Sequence, residues 1–146
     1  MSIAWGFAAG LLSGAIMAFF SHLAWRLRLF GSSMIVVDGS FAARMLGKGR
    51  GEGPDTVVYL LGTVVHLVTS GVFGALYPVV AALLRVDSQS ATLVAGYVFL
   101  LWLAMLFSAL PMAGLGLFGS RAGRWTWLEQ LVLHVVFGLV FWCLAR

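Results

Sequence analysis

Charge is what this chain has least of: 10% of its residues are Asp, Glu, Lys or Arg, against 62% that are hydrophobic. A soluble domain carries about 25% charged and 45–50% apolar residues. A chain of 146 residues has too much surface for its volume to hide that excess from water, so the solvent it is built for is lipid. Cysteine is nearly absent: Cys143 stands alone in an apolar run, which excludes an intramolecular disulfide and reads as a small packed hydrophobe. Reaction motifs are missing too. There is no paired carboxylate, nucleophile elbow, phosphate loop, Cys-x-x-Cys or His-Glu-x-x-His, so catalysis by this chain on its own is not expected. No secretory leader is expected, because the first apolar stretch lacks a basic start and is too long. The net charge of +4 and the pI near 10.0 do not point to nucleic acid, since the basic residues flank apolar runs as membrane anchors do.

What is present is four apolar stretches, each long enough for the ~20 helical residues that cross a bilayer core. They run over residues 3–25, 57–84, 91–118 and 125–145. None alternates apolar and polar residues, which disfavours a β-barrel. The fold expected is all-α, a single up-down-up-down bundle of four transmembrane helices, because the last two connections are short. The one substantial loop, Gly31 to Pro54, contains a segment Ser40–Gly47 that reads as a short interfacial helix, with Asp38 or Ser40 as its cap and Gly47 as its end. Lys48 to Pro54 reads as a flexible polar link. Arg26, Arg28, Arg44, Lys48, Arg50, Arg121 and Arg124 gather at one end, with Arg85 and Arg146 at the other. The positive-inside rule then places both termini outside a bacterial or archaeal inner membrane, Trp125 and Trp127 at the inner interface and Trp5 and Trp142 at the outer.

The packing signals are glycines and prolines. Gly6, Gly10 and Gly14 follow at four-residue spacing in the first span, continued by Ala18; Gly71 and Gly74 repeat the idea in the second, and Gly138 stands in the fourth. Such a stripe lets another backbone approach closely, either within the bundle or from another membrane subunit. Pro78 and Pro111 each remove a backbone donor within an apolar run. Around Pro111, Gly114 and Gly116 the backbone is expected to kink or unwind, as at a close crossing or a binding site.

Among polar residues inside the spans, His66 and His134 stand out. Each lies about nine or ten residues into its helix, near ~14 Å depth at 1.5 Å per residue, on helices running the same way. Three readings follow: hydrogen bonds to a carbonyl or hydroxyl, with Thr63 and Thr69 at hand; bis-histidine ligation of haem b, with glycines making room for the macrocycle; or a transition metal or proton path. His22 sits where it can reach water. Glu129 complements the start of the fourth helix and is expected to pair with Arg121 or Arg124. Met17, Met105 and Met112 are soft enough for Cu(I) but show no repeated spacing, and read as packing.

Leu110-Pro-Met-Ala-Gly-Leu-Gly-Leu-Phe-Gly119, Leu133-His-Val-Val-Phe-Gly138, Arg44-Met-Leu-Gly47 and Leu76-Tyr-Pro78 resemble a widespread group of small bacterial and archaeal four-span proteins that share a domain of unknown function. The resemblance covers most of the chain, with Phe137 where the group has tyrosine. It implies the four-span topology and no activity. The function expected from the residues is a non-catalytic accessory or structural subunit of a larger inner-membrane complex, such as a respiratory or other redox assembly, with other membrane subunits as partners. The alternatives are a haem b carrier using His66 and His134, or a small permease or channel.

Overall fold

The computed structural model describes residues 1–47 and 56–146, so the link read at Lys48–Pro54 lies outside the described residues. All elements among the described residues are helical. We label them α1 (Ile3–Arg26), α2 (Met34–Met45), α3 (Thr56–Leu84), α4 (Ala91–Met112) and α5 (Thr126–Ala145). All but α2 are long and apolar enough to cross a membrane, and the chain is a multi-pass membrane protein built as a four-helix bundle.

The ends are fixed by hydrogen bonds between distant residues. At one end Trp5 Nε1 donates to the Leu144 carbonyl at 2.8 Å, and Trp142 Nε1 to that of Gln89 at 3.1 Å. At the other, the Gly31 N–H donates to both Glu129 carboxylate oxygens at 3.1 Å. Neighbouring spans are therefore antiparallel. Glu129 pins the end of the first span to the start of α5 and makes no salt bridge with Arg121 or Arg124, contrary to expectation. The backbone donor lies nearer than either flexible side chain.

α1 is the central helix, packed between α3 and α5, while α4 rests on α5. Its buried face is almost entirely small, including Gly6, Ala9, Gly10, Ser13 and Gly14. A Cβ on Gly6 would strike the Gly74 carbonyl, one on Gly10 the Ser70 carbonyl, and one on Gly74 the carbonyl of Gly6. The α1 stripe is thus used inside the bundle, as a reciprocal backbone-to-backbone crossing with α3. Such approaches supply dispersion and Cα–H···O contacts where lipid tails remove any hydrophobic drive between helices. Gly71 faces the Phe7 ring, and Gly138 faces Val98 across the α4–α5 contact.

The loop helix differs from its expectation. It starts after Ser33 rather than at Ser40, and it packs against α3. The physical reason is a second small-residue crossing: Gly39 lies against the Val58 carbonyl and Gly62 against that of Ile35. The Met34 N–H donates to Ser21 Oγ at 2.9 Å, tying the start of α2 to α1. Gly47 ends the turn after α2 with φ +70°, as expected.

The third span ends at Met112, not at residue 118. Pro111 has no N–H for the carbonyl of Phe107, and its ring pushes that carbonyl away. A π turn over Met105–Ala109 absorbs the mismatch, with the Leu110 N–H reaching back to Met105 O. Gly114 and Gly116 then take φ +83° and +76°, a region side-chain-bearing residues avoid, and the helix cannot resume.

Candidate functional site

α3 and α4 meet through Tyr97, whose hydroxyl donates to the Phe73 carbonyl at 2.7 Å and whose ring packs edge-on against Tyr77. Elsewhere along their length they enclose a cavity of about 310 Å³. Its floor comes from Met17 of α1 and His134 and Phe137 of α5, and one wall from Met34, Asp38 and Phe41 of α2. Thr69 and Phe73 of α3 and Ala104, Ser108 and Met112 of α4 line it too and are exposed on the outside of the bundle. Being mid-span or within the last turns of a span, they place the mouth of the cavity toward lipid.

His66 lies at the inner end of this cavity, 4% exposed. Its Nδ1 is 2.8 Å from Asp38 Oδ2 and its Nε2 is 3.1 Å from the Gly14 carbonyl. A carbonyl only accepts, so Nε2 carries a proton. Nδ1 and Oδ2 then share one further proton, written either as imidazolium and carboxylate or as neutral imidazole and carboxylic acid. One ring thereby joins α1, α2 and α3. Asp38 was expected as a helix cap; it stands instead one turn inside α2. The available signal was its place in the apolar row Met34, Val37, Asp38 and Phe41, since an acid on the buried stripe of a helix needs a partner.

His134, 8% exposed, directs Nδ1 at its own helix, 2.8 Å from the Gln130 carbonyl. That carbonyl accepts the Nδ1 proton, so in the neutral ring Nε2 is a bare lone pair. His134 also borders a second, apolar groove between α4 and α5, about 380 Å³ in volume, lined by Val98, Gly138 and the rings of Trp102 and Trp142. The histidines therefore do share one cavity, but their nitrogens are used differently.

That difference bears on haem. Axial ligation by both rings needs a free lone pair on each, and both nitrogens of His66 are already engaged. The residues present do not fit a bis-histidine haem. Among the described residues no three His, Cys, Asp or Glu side chains gather into a metal-binding group. Thr63 and Thr69, the hydroxyls expected to serve the histidines, donate instead to carbonyls of their own helix. His22 lies outside the cavity, its Nδ1 3.4 Å from Ser33 Oγ.

Met17, Met34, Met105 and Met112 all line the cavity, so spacing concealed a grouping that the fold creates. Gln130 was not singled out by its sequence position. Its side chain is fully buried in α5, with neither amide atom bonded among the described residues. Pro111 shapes the cavity through the π turn, where Met105, Ser108 and Ala109 turn toward it. Gly114 lies beneath the Arg44 guanidinium, at the end of the bundle below the cavity. No family model, curated protein or solved structure matches the chain, so the functional reading rests on this geometry.

Proposed function

We propose that the protein is an intramembrane binding protein for small, largely apolar molecules that enter from the bilayer between α3 and α4. The observation that carries the reading is the Asp38–His66 pair at 2.8 Å on a lipid-facing cavity. An ionisable pair inside a membrane is costly, and such residues by default mark a binding or transport path. Apolar walls with a few convergent polar groups are the ordinary make-up of a ligand pocket. The setting we propose is a bacterial or archaeal inner membrane, with the arginine-rich end of the bundle in the cytoplasm.

The accessory-subunit reading drew on the small size, the missing catalytic set and the glycine stripe of α1; the stripe packs on α3 and so gives it no support. A complete transport path would need a second opening, and the binding reading does not require one.

The test is a comparison of small molecules retained after purification in lipid nanodiscs, by mass spectrometry, between the unaltered protein and Ala104→Phe. Ala104 is exposed at the cavity mouth, so the larger ring obstructs entry without entering the core. A molecule held near one per chain and lost in the variant supports the reading. Identical retention in the two proteins refutes it.

A further inference from the structure

We infer that the cavity selects lipophilic organic cations, an inference that rests on the binding reading above and names its ligand class. Thr69 and Ser108 donate their hydroxyl protons to the Val65, His66 and Ala104 carbonyls of their own helices, so what they turn to a ligand is oxygen lone pairs. His134 offers the bare Nε2. Asp38 has one carboxylate oxygen on His66, and its other has no hydrogen bond among the described residues. Ser70 is the one lining hydroxyl whose proton is not already committed.

The apolar part of the wall has the same character. Met17, Met34, Met105 and Met112 bring polarisable thioethers to the wall, and Phe41, Phe73 and Phe137 bring aromatic rings, a residue type whose faces attract cations within about 6 Å. Among the described residues no Lys or Arg lines the cavity. Acceptors, sulfur and π faces without a positive group disfavour an anion. They give a neutral apolar guest only its packing, whereas a cation gains from all three.

Charge balance specifies the accompanying step. The Asp38–His66 pair is neutral overall while it holds its shared proton. When a permanent cation settles at Asp38, the carboxylate neutralises it. The shared proton then leaves to solvent, and His66 remains neutral with Nε2–H on the Gly14 carbonyl. Among the described residues the other titratable groups near this ring are few. His134 on α5 lines the same cavity, Arg44 on α2 lies over Gly114, and His22 on α1 is turned to Ser33 and packed with Tyr59 of α3. α4 contributes no titratable side chain to the cavity.

The experiment compares benzyltrimethylammonium with its uncharged carbon isostere, neopentylbenzene, on protein in nanodiscs. Equilibrium dialysis against empty discs reads binding and a pH indicator reads proton release. The cation is expected to bind at least about tenfold tighter than the isostere after correction for empty discs, the scale of one desolvated cation–π contact or more. It should release about one proton per cation bound. Asp38→Asn, whose amide can still hydrogen-bond His66 Nδ1 but carries no charge, should remove most of that preference and the proton. Phe73→Leu, at the exposed mouth, should weaken the cation several-fold and leave the isostere nearly unchanged. Equal binding of the two compounds overturns the cation inference while leaving the binding reading intact. Cation binding without proton release overturns the exchange step. If neither compound binds above empty discs, the binding reading itself falls.

Discussion

Gly10→Ala tests the α1–α3 crossing on which the whole arrangement depends. The added Cβ would meet the Ser70 carbonyl and lie 2.9 Å from Gly74 Cα and 3.1 Å from Gly74 N. All of these are backbone atoms, so no rotamer change can relieve the overlap. The helices have to part by roughly 1 Å to regain carbon contacts of ~3.5–4.0 Å, and a gap of that size forfeits about a quarter to a half of each neighbouring dispersion contact. Overpacking of this kind costs about 1–3 kcal/mol, less the ~0.5–1 kcal/mol that alanine gains over glycine in a helix. The hydrogen bond from His66 to Gly14, one turn along, is stretched as well. We therefore expect a net loss of about 1–2 kcal/mol in unfolding by a denaturing detergent in mixed micelles. Two controls sharpen the result. Gly96→Ala has nothing within 4 Å and should stabilise slightly, whereas Gly71→Ala has its three nearest atoms on the half-exposed Phe7 ring, which can swing aside. If Gly10→Ala behaves like Gly96→Ala, the crossing is not where the structure puts it and the stripe is free for another protein.

Asp38→Ala should cost about 2–4 kcal/mol in the same assay, because it leaves His66 Nδ1 buried without a partner, while Asp38→Asn should cost clearly less. Equal losses would show that the carboxylate's charge, not its acceptor oxygen, holds His66. Gln130→Met replaces an amide with no bonded atom by an apolar chain of similar length and should stabilise by about 1–2 kcal/mol; a loss of that size would reveal a bound water or other partner. Pro111→Ala returns an N–H to the Phe107 carbonyl. It should slow amide exchange over Met105–Ala109 and lower binding of benzyltrimethylammonium, and unchanged exchange there would mean that something other than the proline sustains the π turn.

The four spans were legible because length and apolarity alone set them, and both are properties of a sequence window. The break around Pro111, Gly114 and Gly116 was legible too, but the end of the third span was not, since residues 113–119 are as apolar as a helix and hydropathy cannot see positive φ at Gly114 and Gly116. The α2 boundary was hidden by Gly31, Ser32 and Ser33, which read as loop and obscured the helical row that starts at Met34. His66 and His134 were recognisable as unusual, and they do line one cavity. Their roles were not readable, because the partner of His66 lies 28 residues away and the tautomer of His134 is set by a carbonyl that every residue possesses. The glycine stripe was legible as a close contact, but its identity as an α3 contact depends on Ser70 and Gly74 standing opposite, which spacing within α1 does not encode.

The same physics that makes one side of the bundle tight leaves the other side open. Glycine against glycine draws α3 onto α1, and Gly39 against Val58 with Gly62 against Ile35 draws α2 onto α3. α4 has no comparable row facing α3: it joins α3 through Tyr97 and is disrupted by the π turn before Pro111. Methionine and phenylalanine line the space that results, and these side chains tolerate imperfect packing better than branched ones. The His66 ring is bonded to both tightly crossed neighbours of α3, through Gly14 of α1 and Asp38 of α2. A ligand that draws the Asp38 carboxylate to itself therefore loosens the tie holding α2 against α1 and α3. Its binding energy is reduced by whatever that tie contributes, and the site can respond to occupancy only to the extent that the ligand favours one position of α2 over the other.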